Sequence, residues 1–248
     1  MKFTVLTLFP EMFQDFFSTS IIGRAVEKGV IECSARNIRD YAFNKHKSVD
    51  DYPYGGGSGM VMQVEPLKLA LEDVKNQENA RVIYLTPKGK TLSQSMMKDF
   101  SREEHLIMIC GHYEGVDQRF IDKYVTDEVS LGDFVLTGGE LPAMVLIDGV
   151  SRMVEGVLSS NVSFEDESHF HHLLEYPHYT RPAIYEEVPV PDVLLSGNHL
   201  KVDAWRLEQS VRLTMERRPE LIEKFFNDPS IDEGHKNKVK KIIKNIEL

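Results

Sequence analysis

Cysteine is nearly absent from this chain. Two in 248 residues, Cys33 and Cys110, leave no room for a disulfide framework or a four-cysteine zinc site, and they point to a reducing compartment. Tryptophan is rarer still, with Trp205 alone. No apolar run reaches the roughly 18 residues that a helical membrane span requires, so no membrane association is expected. The opening MKFTVLTLFPEMFQDFF is apolar, but Pro10, Glu11 and Asp15 interrupt it and no small-residue cleavage site follows. It reads as a first strand and helix, not as a signal peptide, and a cytoplasmic, soluble protein is the expectation. Positive charge is also short: 29 Lys+Arg against 39 Asp+Glu give a net charge of -10, which argues against binding polyanions through bulk charge. The deficit is uneven. Residues 201–248 carry 11 Lys+Arg against 9 Asp+Glu, or +2, and the rest carry 18 against 30, or -12, so a basic face on the last segment leaves an RNA partner open.

What is present is ordinary globular material, 42% hydrophobic and 27% charged. A chain of this length can bury about 70% of its unfolded surface, enough for a core without staples. Over the first 155 residues, strand-like and helix-like patterns alternate. Strands are expected at Lys2–Phe9, Val30–Arg36, Arg81–Thr86, Leu106–Cys110 and Phe134–Thr137. Helices are expected at residues 11–20, 65–75, 92–101 and 116–123. Alternation of this kind implies a parallel α/β sheet covered on both faces. Residues 156–172 are polar, acidic and aperiodic, which suits a linker. Beyond Pro177 a proline-punctuated stretch leads to helices opening at Asp203 and Pro219 and a last one near 236–245, a small helical domain.

Three expected strands run into glycine: Gly89 after Pro87 and Lys88, Gly111 and Gly115 around His112, Tyr113 and Glu114, and Gly138–Gly139 before Glu140 and Pro142. In a parallel sheet such loops gather at the carboxyl edge, where ligands bind and where glycine lets the backbone come close. The same glycines could equally do no more than end strands. Neither GxGxxG nor GxxxxGK[ST] occurs, so the usual dinucleotide and P-loop fingerprints are missing. The densest turn chemistry is DYPYGGGSGM at 51–60, either a ligand-hugging loop or a plain surface loop.

The segments DYPYGGGSGMVMQVEPL (51–67), YLTPKGK (84–90), GHYEGVDQR (111–119), SLGDFVLTGGELPAMVLIDGVSR (130–152), LLEYPHYTRP (173–182) and VLLSGNH, WRLEQS and RRPELI (within 193–222) follow one another in order. Together they resemble the bacterial tRNA (guanine-N(1))-methyltransferases of the TrmD type, in the SPOUT class. The resemblance implies a trefoil-knotted parallel-sheet α/β domain over 1–158, an interdomain linker over 159–172 and a helical tRNA-binding domain over 173–248, working as a homodimer. It implies methyl transfer from S-adenosylmethionine to N1 of the guanine immediately 3′ of the anticodon, position 37 of the tRNA. By the same resemblance, Tyr84, Leu85, Thr86 and Pro87, then Gly111, Tyr113, Glu114 and Gly115, then Leu131, Leu136, Gly138, Gly139 and Pro142 hold the cofactor. Gly57, Gly59, Ser168, His178, Arg181, Ser196 and Trp205 are carried over as substrate-binding positions. His112 stands where relatives carry other residues, Arg among them, and reads as neutral variation.

Guanine N1 bears a proton and is a poor nucleophile, so the site needs a base, a cation for charge moving toward O6, and alignment. The resemblance gives the cation to Arg152 and the base to an aspartate of a D-S-F element in the linker. Here that element departs from the pattern. Ungapped counting puts Glu167 on the aspartate and Ser168 on the serine, with His169 in place of Phe; a one-residue shift makes Asp166 the base instead. The family reaction also uses magnesium, which these carboxylates could hold weakly. Two other classes fit the residues less well. The histidines His169, His171, His172 and His178 suggest a metal-dependent hydrolase, but no HExxH-like spacing appears and no metal-ligand set is assigned. An RNA-binding protein that has lost catalysis is disfavoured by intact glycine loops and Arg152.

Overall fold

A computed structural model describes residues 1–75, 80–158, 168–169 and 171–246. The chain divides into two compact units, Met1–Asn161 and Val162–Leu248. The first runs β1 (Lys2–Thr7), a 3-10 turn (Pro10–Phe13), α1 (Gln14–Ser18), α2 (Ser20–Glu27), β2 (Glu32–Asn37) and a second 3-10 turn (Ile38–Tyr41). It continues through the two-residue strands β3 (Asp50–Asp51) and β4 (Val61–Met62), α3 (Val64–Val74), β5 (Arg81–Thr91) and α4 (Gln94–Phe100). It ends with β6 (His105–Cys110), α5 (Gln118–Tyr124), β7 (Asp127–Ser130) and α6 (Glu140–Ser151).

β1, β2, β5, β6 and β7 form one sheet in the order β2-β1-β6-β5-β7, and every neighbouring pair is parallel. The period of two along each strand sends successive side chains to opposite faces. Leu106, Met108 and Cys110 of β6 and Ile83 and Leu85 of β5 therefore join one core with Phe3, Val5 and, from α6, Ala143, Leu146, Ile147 and Val150. Ile107, Ile109, Val82 and Tyr84 join the other, under Leu67, Ala70 and Leu71 of α3 and Phe120 and Ile121 of α5. β6 is buried over its whole length, which is why it reads as an uninterrupted apolar run.

The α/β class and the parallel sheet match the sequence expectation. One strand does not. Phe134–Thr137 is irregular backbone, and Phe134 and Val135 are exposed; the last strand of the sheet is β7. Its sequence, DEVS, hides it, since only Val129 is apolar and buried there. Arg81 makes the acidic start tolerable: its guanidinium donates to Asp127 at 2.7 and 2.8 Å and to Glu103 at 3.1 Å. β5 also runs further than expected. Leu85 and Lys90 both fall opposite Val129, so the four residues between them, 86–89, are looped out of register.

The second unit holds an antiparallel pair, β8 (Ile184–Tyr185) and β9 (Val188–Pro189), followed by α7 (Asp192–Leu195), α8 (His199–Arg217), α9 (Glu220–Asn227) and α10 (Glu233–Ile246). Its core is small: Leu173, Val211, Phe225, Ile231 and Val239. α8 begins four residues before the expected Asp203 because the Asn198 side chain accepts from the Lys201 amide and caps it. Ser210 donates to the Leu174 carbonyl and Thr214 accepts from the Leu174 amide at 2.8 Å, which ties the extended segment 173–176 to α8. No helix among the described residues is long and apolar enough to cross a membrane.

Candidate active site

At the carboxyl edge of the sheet the ends of β5, β6 and β7 open into a cavity of about 330 Å³. Every residue assigned above to the cofactor lines it: Tyr84–Pro87 from β5, the Gly111, Tyr113, Glu114 and Gly115 positions after β6, and Leu131, Leu136, Gly138, Gly139 and Pro142 between β7 and α6. The missing strand at 134–137 explains the geometry. Because β7 ends at Ser130, residues 131–139 are free to wrap the cavity as one long loop. The same wall includes Lys88, Gln118, Glu128, Ser130, Phe134 and Val135, which the sequence reading did not single out. Their signal was adjacency alone, since each lies within four residues of a position that was.

Glycine at 138 is a matter of space. A Cβ there would collide with Cε1 of His112 and sit 2.5 Å from Oε2 of Glu140. Those two side chains pack directly behind the loop. Nε2 of His112 lies 2.8 Å from both carboxylate oxygens, and Thr7 donates its hydroxyl to Oε1 at 2.6 Å. Burial pushes the Glu140 carboxyl up, but the hydrogen bonds from His112 and Thr7 outweigh it and hold the group below the usual carboxylate range. Glu140 is 3% exposed and opens α6, where an anion is also favoured by the helix dipole. Burial, followed by the nearby Glu140, pushes the Cys110 thiol well up, so it serves as packing under the loop. Burial likewise raises the Tyr84 phenol, against hydrogen bonds with Thr86 and the Val116 backbone.

The glycine-rich loop at 51–60 returns to this cavity. The Glu114 amide donates to the Met60 carbonyl at 2.9 Å and the Met62 amide to the Gly115 carbonyl at 2.9 Å. Gly59, at φ +86°, lies so close to Glu114 that an added Cβ would collide with its carboxylate. Gly57 and Tyr54 stay exposed. Tyr113 has the left-handed φ of 58° and accepts from Arg39 at 3.3 Å.

The remaining candidates belong to other parts of the chain. Arg152 is the C-terminal cap of α6, half-buried, with its amide bonded to the Asp148 carbonyl. Twelve helical residues separate it from Gly139, about 18 Å along the axis at 1.5 Å per residue. Glu167 and Asp166 lie outside the described residues. Ser168 accepts from the Glu175 amide at 2.9 Å. His178 stands 2.8 Å from Glu175, and its ring lies 4.9 Å from that of Tyr176, tilted by 52°. Trp205 is half-buried, its ring 6.3 Å from that of Tyr179, and Arg181 is exposed. Ser196 donates to the Val193 carbonyl at 2.7 Å. Of the linker histidines, His172 pairs with Asp228 at 3.0 Å. Among the described residues no group of three or more His, Cys, Asp or Glu side chains could hold a metal ion.

Residues 1–224 match the family model described as tRNA (Guanine-1)-methyltransferase TrmD. Similar proteins include one from Clostridioides difficile, 56% identical over 227 residues that cover 90% of this chain and 98% of the other. Another, from Ruminiclostridium cellulolyticum, is 55% identical with 92% and 98% covered, and one from Treponema denticola is 55% identical with 92% and 93% covered. All three carry the name tRNA (guanine-N(1)-)-methyltransferase.

Proposed function

The chain belongs to the tRNA (guanine-1)-methyltransferase TrmD family, and on that footing we propose that it moves a methyl group from S-adenosylmethionine to N1 of the guanine at position 37 of tRNA. The observation that carries this reading is the convergence of three separate loops, one from each of β5, β6 and β7, on a single cavity. The donor set suits S-adenosylmethionine. Leu85, Pro87, Leu131, Leu136 and Pro142 offer apolar walls to a purine and ribose, and Glu114 and Glu128 offer negative charge to a sulfonium and an ammonium. When bound, this cofactor supplies an electrophilic methyl group. The protein's own task is to fix its orientation, exclude water and remove the proton from guanine N1.

That proton goes to a linker carboxylate, Glu167 or, with the register shifted by one, Asp166. The guanidinium of Arg152 stabilises negative charge developing toward O6. The helix length bears on which molecule Arg152 serves. Since α6 carries it about 18 Å from the Gly139 end, it acts at the cavity of a second copy of the chain. A homodimer is supported independently by apolar side chains left open beside the cavity: Val135 is 80% exposed, Leu141 54% and Val145 46%. The knotted threading of the sheet, the linker over 159–172 and the tRNA-binding role of residues 173–248, with His178, Arg181, Ser196 and Trp205, belong to the same reading. The magnesium that the resemblance implies would be held by the linker carboxylates and is assigned no step.

The test is tritium-methyl transfer to tRNA transcripts that differ only at the base after the anticodon. Incorporation is expected with guanine and not with adenine, and equal labelling of both rejects the reading. In the same assay at saturating cofactor, Glu167→Gln is expected to lower turnover at least about 100-fold, as general-base loss does. If Asp166→Asn gives that loss and Glu167→Gln does not, the linker is read in the shifted register.

A further inference from the structure

Glu140 does not line the cavity, yet it is buried, ionised and held by partners from two other elements. Thr7 comes from the last residue of β1. Its hydroxyl accepts from the Phe9 amide at 2.9 Å and donates to the Glu140 carboxylate, which has no hydrogen to give, at 2.6 Å. His112 comes from the loop after β6. An ionised carboxylate can only accept, so Nε2 of His112 carries the hydrogen that faces it. A backbone bond runs alongside, from the Gly139 amide to the Gly111 carbonyl at 3.2 Å. The second and third cavity loops are thus clamped together at two points, and β1 anchors the clamp. Phe9 closes it from outside, its ring edge-on to His112 at 5.1 Å.

We infer that Glu140 and His112 are positioning residues for cofactor capture: their hydrogen-bonded contact, anchored by Thr7, sets the spacing between the Gly111–Gly115 loop and the Gly138–Pro142 loop. From the sequence alone none of the three carries a role, and His112 reads as neutral variation. The packing around it argues otherwise, because Gly138 has no side chain and the space is filled by this pair. A donor of different length can serve at 112, provided that it reaches the carboxylate; an apolar side chain cannot. Without a donor at 112, Glu140 keeps only Thr7 to offset its burial, and the α6 end of the clamp is tied to the β6 loop by the Gly139–Gly111 backbone bond alone.

This inference rests on the cavity's being the S-adenosylmethionine site, and the experiment separates the two. Binding is measured by titration calorimetry on wild type, His112→Ala, His112→Arg and Thr7→Val, each first checked for wild-type circular dichroism. His112→Ala is expected to weaken S-adenosylmethionine binding about tenfold, and Thr7→Val about threefold. His112→Arg, whose guanidinium still reaches Glu140, is expected to recover most of the loss. In steady state, the KM for S-adenosylmethionine in His112→Ala should rise by more than kcat falls, a split that a merely destabilised fold would not produce. Where His112→Ala does not fold, Thr7→Val and His112→Arg give the same comparison. Wild type that binds no S-adenosylmethionine overturns the cavity assignment and this inference together. Wild type that binds, beside a His112→Ala or Thr7→Val that binds equally well, overturns the positioning role alone. So does a His112→Arg as weak as His112→Ala.

Discussion

Gly138 is the most crowded of the glycines that line the cavity. The nearest atoms to an added methyl group belong to His112 and Glu140, which are bonded to each other and cannot both step aside. Gly138→Ala is therefore expected to cost about 1–3 kcal/mol of stability, the usual penalty for overpacking. It should weaken S-adenosylmethionine binding by at least about tenfold, since the displaced group is the loop itself. Urea titration and calorimetry check the two effects, and unchanged values in both would mean that the wall yields. From the sequence, Gly138 and Gly139 are legible as ligand-loop residues because they form one of three glycine-bearing strand ends and because the resemblance places them there, although the glycines alone could do no more than end a strand. Glu140 was not. An acid at the first position of a helix is ordinary, and only its distance to Thr7, 133 positions away, gives it meaning.

The same contrast holds for strands and helices. β6 announced itself through an unbroken apolar run. α3 did so through Leu67, Ala70, Leu71 and Val74, which fall on one face of a helix and are all buried. β7 escapes the sequence pattern and Phe134–Thr137 reads as a strand in its place, because apolar content in a short run says nothing about which side of a loop it occupies. Those side chains face the cavity and the open surface, whereas the strand is acidic and depends on a neighbour. The neighbour is Arg81, whose guanidinium also lies 5.0 Å over the Phe100 ring. Asp127 is a carboxyl whose pKa burial would raise; hydrogen bonds from Arg81 and Thr126 bring it down instead. Arg81→Met keeps most of the stem packing and removes the charge. It is expected to cost about 1–2 kcal/mol, a value discounted for the one-third exposure of Arg81. A lower urea midpoint at constant slope is the expected measurement, and a midpoint equal to wild type would show that β7 holds without its partner.

Across the whole molecule, three histidines have pKa values below the ordinary histidine value. His105 of β6 has its pKa lowered by burial first and by Lys2 second, and its ring lies 2.9 Å from the Thr4 hydroxyl. His169 and His235, in the second unit, are lowered by burial and then chiefly by neighbouring cations, although Asp232 opposes the shift at His235. In each case the unfolded chain takes up a proton more readily than the folded one. Their contribution is fully present above the ordinary histidine value of 6.5 and is lost as pH falls through the lowered folded values. Melting temperature should therefore begin to drop below about pH 6.5, before the carboxylates titrate, and in both units, since each holds at least one such histidine. A melting temperature that stays flat down to about pH 5 would contradict this. What the sequence alone determined is the class of the molecule: the parallel sheet, the helical second part and the three glycine-bearing segments, all of which follow from local periodicity and backbone chemistry. What tertiary structure alone decided is which residues share the wall of the cavity and which stand behind it. That depends on strand order β2-β1-β6-β5-β7, which brings β1 beside β6 although a hundred residues separate them in sequence, and no local pattern encodes such a pairing.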